Sequence, residues 1–273
     1  VSELSWIRSA TGEVCTQGAH VTRWSADGKA VLFLSRASRF APGQAIRGGV
    51  PVIFPWFGDD PDGRGRSAHG FARRLAWRVV DSAMDATPAR CRLALEDDEA
   101  TRALWPHAFQ LSLDVSFGDA LELTLSATNR GSTPFRCEMA LHTYLAVADV
   151  RQIRVRGLED TAFIDKVDGM ARKREGRSPI ALTGETDRVY LGTTGTCVVE
   201  DPVWRRSLEI AKDGSRSTIL WNPWEARAAA FGDLGDDEWT AFVCVESGNV
   251  ADDALVLAPG QSHRMRVRLS VRK

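Results

Sequence analysis

The stretch QLSLDVSFGDALELTLSA, Gln110 to Ala127, decides the fold. Leu111, Leu113, Val115 and Phe117 alternate with polar residues until Gly118-Asp119 breaks the run. Leu121, Leu123, Leu125 and Ala127 then resume the same period of two. Two alternating runs around a Gly-Asp turn predict an antiparallel hairpin with one buried and one wet face. The pattern repeats at Cys91, Leu93 and Leu95, and again at Met265, Val267, Leu269 and Val271. In that last segment Arg264, Arg266, Arg268 and Arg272 project the other way. Helical periodicity is scarce. Asp97 to Trp105 reads as one short helix, which Pro106 stops.

Turn chemistry punctuates the chain at Asp27-Gly28, Asn129-Arg130-Gly131-Ser132, Asp213-Gly214-Ser215 and Ala258-Pro259-Gly260. Many short strands, frequent turns and few helices predict an all-β, large antiparallel β-sandwich. No repeat, low-complexity tract or Pro/Gly-rich linker divides the 273 residues, so a single domain over 1–273 is expected. A chain of this length buries roughly three quarters of its extended surface.

Charge narrows the partners. Thirty-five Lys and Arg against 36 Asp and Glu leave a formal net charge of -1, with no global cationic field for nucleic acid or a membrane surface. No apolar run approaches the length of a membrane-spanning helix. Val1-Ser2-Glu3-Leu4-Ser5-Trp6 lacks the basic-then-apolar pattern of a leader. The five cysteines, Cys15, Cys91, Cys137, Cys197 and Cys244, show no C-x-x-C spacing, which fits a reducing cytoplasm. Nine Trp stand against two Tyr, and most of the nine are expected in the core.

Two segments break the alternating grammar. RGGVPVIFPWFG (47–58) combines paired glycines, prolines and bulky apolar residues, so it cannot be a regular central strand. AHGFARR (68–74) sets a glycine-flanked histidine among arginines. Departures of this kind concentrate at functional sites. Two lesser features read as solvated surface: the acidic turn Asp59-Asp60-Pro61-Asp62-Gly63, which lacks calcium-loop spacing, and the basic loop Arg172-Lys173-Arg174 with Arg177. His20, His69, His107, His142 and His263 are too dispersed for a short metal motif, so no metal is expected. His142 lies in strand-like ALHTYL (140–145), and Glu246 ends the apolar run AFVCVE (241–246). An acid at the end of so apolar a strand is costly unless paired or at a cleft mouth.

The chain resembles the hexose-6-phosphate mutarotases (glucose-6-phosphate 1-epimerases), relatives of the aldose 1-epimerases. RGGVPVIFPWFG, HGFARR (69–74), ALHTYL, ETDRVY (185–190), WNPW (221–224) and CVESGN (244–249) carry the resemblance, in family order over most of the chain. It implies a galactose-mutarotase-like sandwich that binds sugar in a cleft on one sheet. It further implies His142 as general acid and Glu246 as general base. By the same resemblance Asp187 and His69 line the sugar site, and Arg47 and Arg73 hold the substrate phosphate. Ala68 departs from the polar residue frequent before HGFAR, which removes one substrate hydrogen bond. The implied activity is interconversion of α and β hexose 6-phosphate anomers without a cofactor, by a monomer. The alternatives are a non-catalytic carbohydrate- or phosphosugar-binding protein of the same fold and a glycosidase or lyase using Glu246 with another acid.

Ring opening needs a positioned base and a positioned acid, each worth about 10²–10⁴ in rate. Glu246 must start ionised and His142 protonated. A nearby carboxylate favours the imidazolium and burial opposes it, so sequence leaves that balance open.

Overall fold

The computed structural model describes residues 4–273; Val1, Ser2 and Glu3, part of the segment read for a leader, lie outside the described residues. The 110–127 stretch forms the expected hairpin. Strands Phe109–Phe117 and Ala120–Asn129 pair antiparallel, with Leu113 opposite Leu125 and Phe117 opposite Leu121. Their burial alternates residue by residue, as period-two patterning dictates. Strand Ser262–Arg272 continues the ladder on the Ala120–Asn129 side, and Ala89–Glu96 on the other. Together with four further strands they make an eight-stranded sheet.

A second eight-stranded sheet faces it and carries the site. Its path runs from the edge strand Ala171–Arg174 through Ala162–Asp165, Thr186–Tyr190, Ser217–Asn222 and Phe242–Asn249 to Met139–Leu141 and Val52–Ile53. Tyr144–Ala146 also pairs with Phe242–Asn249. The main core joins the sheets, with Leu111, Leu113 and Leu125 from one and Leu141, Leu220, Val243 and Val245 from the other. This is the antiparallel sandwich that the alternation predicts. Helix is confined to two short α-helices and three single 3₁₀ turns among the described residues. The expected helix runs Glu99–Leu104, capped reciprocally by Asp98 and Thr101. Trp224–Ala228, which begins at the last residue of WNPW, is a second helix that the sequence did not announce.

Three local readings need correction. Arg172-Lys173-Arg174 is no loop but part of the edge strand Ala171–Arg174. Its charges pair with Asp252, Asp165, Asp168 and Asp160, and charged side chains are a common guard on exposed edges. The acidic turn is not wholly solvated. The Asp60 carboxylate is clasped by Arg66, both side chains being less than a tenth exposed, and this holds its pKa well below the usual range. Finally, Glu246 lies within its strand, which continues buried to Asn249. Of the nine tryptophans, Trp24, Trp56, Trp77 and Trp239 are buried, while Trp221 lines a cleft.

Candidate active site

The acid and base owe their proximity to strand register. Met139–Leu141 and Tyr144–Ala146 pair with the same partner strand, Leu141 opposite Ser247 and Tyr144 opposite Cys244. Counting between these pairs puts His142 directly opposite Glu246. Cross-strand neighbours share a face, so their side chains meet. His142 Nε2 lies 3.3 Å from Glu246 Oε1, with 8% and 1% of the respective side chains exposed. The segment 142–143 departs from strand geometry: the His142 amide donates to the Pro51 carbonyl, and the Val245 amide donates to that of Thr143.

The same ladder delivers the other sheet-borne residues. Asp187 sits opposite Trp221, and Trp221 opposite Cys244, two residues from Glu246. Lys166 follows strand Ala162–Asp165 and donates its ammonium to Asp187 Oδ2 at 3.0 Å. Loops supply the remainder. Gly70 and Phe54 form a bridge, and the amides of Phe71 and Ala72 both donate to the Phe54 carbonyl. This junction fastens the 47–58 and 69–74 segments together. It brings His69 to within 5.8 Å of His142, centroid to centroid, and places Phe57 edge-on to His69 at 4.8 Å.

All six residues singled out from sequence, Arg47, His69, Arg73, His142, Asp187 and Glu246, line one cleft of about 610 Å³. That volume suits a small ligand. Ala68 lines it too, and its carbonyl accepts from Arg73 Nη2 at 2.9 Å. Lys166, Trp221 and Phe231 also line the cleft and were not read from sequence. Only WNPW hinted at Trp221; nothing local marks the other two.

Beside the cleft lies a smaller cavity of about 210 Å³, lined by Arg39, Arg47, Arg73, Arg74, Tyr144 and Asp233 among others. Arg47 and Arg73 border both spaces. Arg47 donates to Asp233 Oδ1 and to the Tyr144 hydroxyl, each at 3.1 Å, and lies over the Phe231 ring. Burial disfavours its charge, but Tyr144 and Asp233 outweigh that and raise its pKa. Among the described residues no carboxylate is bonded to Arg73. Burial first, with Arg47 and Arg74 nearby, lowers its pKa to about 10, so it stays charged at neutral pH. The Nε atoms of Arg73 and Arg74 are buried without a partner. Such a cation cluster is suited to a tetrahedral oxyanion, whose oxygens match guanidinium forks.

Electrostatics answers the question that sequence left open. Burial, then Arg73 and Arg47, pushes His142 well below the usual histidine pKa. Burial, then Asp187, pushes Glu246 well above the usual carboxylate range, with Lys166 and Arg73 opposing. These directions favour a neutral imidazole beside a protonated carboxyl. Tyr144 stacks on His142 at 4.8 Å and 11° and fixes the ring plane.

A sequence profile of the aldose 1-epimerase family matches residues 7–270. The chain belongs to the aldose 1-epimerase family. It is an epimerase that interconverts anomers. A protein of Cenchrus ciliaris with the provisional name glucose-6-phosphate 1-epimerase is 33% identical to this epimerase, over 98% of this chain and 83% of its own. One of the same provisional name from Escherichia coli is 35% identical over 90% of this chain and 82% of its own. Among solved structures, a protein of Salmonella typhimurium provisionally called a mutarotase superposes with a TM-score of 0.91. It is 31% identical, and the match covers all of this chain and 92% of that one. The described residues of the epimerase include no helix long and apolar enough to cross a membrane.

Proposed function

We propose that this epimerase acts on hexose 6-phosphates, glucose 6-phosphate foremost, as a single-domain monomer in the cytoplasm. One observation carries the reading: an acid–base pair 3.3 Å apart borders a cleft that two arginines share with a cationic annex. The provisional names of the relatives point the same way.

A hemiacetal carries its hydroxyl and its ring oxygen on one carbon, so base and acid must lie side by side. With the pair's one proton on His142, Glu246 takes the proton of the C1 hydroxyl while His142 gives its own to the ring oxygen, and the C1–O5 bond breaks. The free aldehyde rotates about C1–C2. On closure His142 recovers its proton from the C5 hydroxyl, and Glu246 returns its proton to the C1 oxygen on the other face. The pair ends as it began, with proton count unchanged. Asp187 and His69 hold sugar hydroxyls, Trp221 and Phe231 offer apolar faces, and Arg47 and Arg73 hold the phosphate.

Membership in an epimerase family, with both His142 and Glu246 in place, disfavours the purely sugar-binding alternative. The test is polarimetry of freshly dissolved α-glucose 6-phosphate. Glu246→Gln and His142→Asn should fold normally and lose about 10²-fold or more of the rate. Full activity in both would refute the assignment. Arg47→Ala and Arg73→Ala should weaken binding of the phosphosugar more than of free glucose; equal losses would remove the phosphate clamp.

A further inference from the structure

Resting on the phosphosugar reading, we propose that the arginine annex is an activating site for a free oxyanion dianion. Filling it switches on the His142–Glu246 pair, so the substrate's phosphate is an activator as well as a handle.

The annex holds four guanidiniums, Arg39, Arg47, Arg73 and Arg74, against one carboxylate, Asp233. Its lining charge is therefore +3, being 4 positive less 1 negative. A phosphate monoester, close to a dianion at neutral pH, cancels most of it. The cluster is wired to the acid by contact. Arg47 bonds the Tyr144 hydroxyl at 3.1 Å, and the Tyr144 ring lies face to face with His142 at 4.8 Å. Arg73 borders the annex and the His142 cleft together.

The groups around His142 are Glu246 from the neighbouring strand, Asp187 beyond it, Tyr144 on its own chain segment, His69 and Arg73 from the 69–74 loop, Arg47 and Lys166. Arg47 and Arg73 both oppose a positive imidazole, whereas at the Glu246 carboxyl Arg73 is felt and Arg47 is not a leading charge. The annex's share of the positive field is thus weighted toward the histidine. A dianion in the annex removes it, and the pair's proton moves from the carboxyl to the imidazole. Glu246 becomes the free base and His142 the charged acid, which is the state that opens the ring.

The experiment uses the whole chain with phosphite as probe and unphosphorylated α-glucose as substrate. Rates without enzyme at the same phosphite concentration are subtracted. Saturating phosphite should raise the enzyme-dependent rate about tenfold or more, the equivalent of one pKa unit. Arg73→Ala and Arg74→Ala should each diminish that activation, and the ¹⁵N imidazole signals of His142 should move toward the protonated form on phosphite addition. Phosphite that inhibits glucose 6-phosphate turnover, and so binds, yet leaves the glucose rate and the His142 signals unchanged would overturn the proposal. So would failure of phosphite to bind. If the wild-type chain did not turn over glucose 6-phosphate, the phosphosugar reading itself would fall, and that control separates the two failures.

Discussion

Lys166 shows how much one side chain can set at this site. Its ammonium sits 3.0 Å from Asp187 and 5.3 Å from the Phe57 ring centroid. Burial raises the pKa of Asp187 and Lys166 opposes that; Lys166 likewise opposes the rise at Glu246 and favours neutral His142. Removing this cation makes each of these groups hold its proton to higher pH. Lys166→Met should therefore shift both limbs of the bell-shaped pH–rate profile to the alkaline side, by about one unit or more. Lys166→Arg should restore the limbs. Limbs that stay where they were in Lys166→Met would show that the ammonium does not tune the pair. Sequence could not have singled out Lys166, because its partner Asp187 belongs to the next strand of the ladder and Lys166 itself lies in none of the motifs that mark the site.

At the scale of elements, the site depends on the junction of two irregular loops. Gly70 has φ +68°, and a Cβ there would fall on the Phe54 carbonyl that receives the Phe71 and Ala72 amides. Gly70→Ala should cost about 2–4 kcal/mol, from a left-handed backbone combined with a backbone clash. It should also raise KM for glucose 6-phosphate, since His69 and Arg73 hang from this junction. Urea denaturation and steady-state kinetics check both; lost stability with unchanged KM would mean that the junction does not position the site. The 110–127 hairpin was legible because alternation and its turn are local properties. The irregularity of 47–58 was legible too, since its prolines forbid a central strand and Val52–Ile53, at the sheet edge, is its one strand. The pairing of His142 with Glu246 was not: register between segments over a hundred residues apart is set by the whole sheet. Only the family resemblance brought the two together in advance.

Across the whole molecule, buried histidines tie stability to acidity. His20 is fully buried, with Nε2 2.8 Å from the Gly48 carbonyl and Nδ1 unpartnered among the described residues. Burial, with Arg73 adding, lowers its pKa to about 4 from 6.5, although the Gly48 bond resists. The folded state thus prefers the neutral ring. Its contribution is complete above pH 6.5 and is lost as pH falls toward 4, amounting to about 3 kcal/mol. His69 and His142 act in the same direction, whereas Glu246, with its raised pKa, acts in the opposite one. The urea midpoint should fall between pH 7 and 4.5, and the fall should be shallower in His20→Gln. Identical slopes would exclude His20 as the titrating group. The shared register of the site strands carries one last consequence. His142, Glu246, Trp221 and Asp187 stand on a lattice whose squares measure about 4.8 Å across the strands and 6.8 Å along them. A different sugar stereochemistry can be met by exchanging the residue on one square, with every loop and every ladder bond left in place.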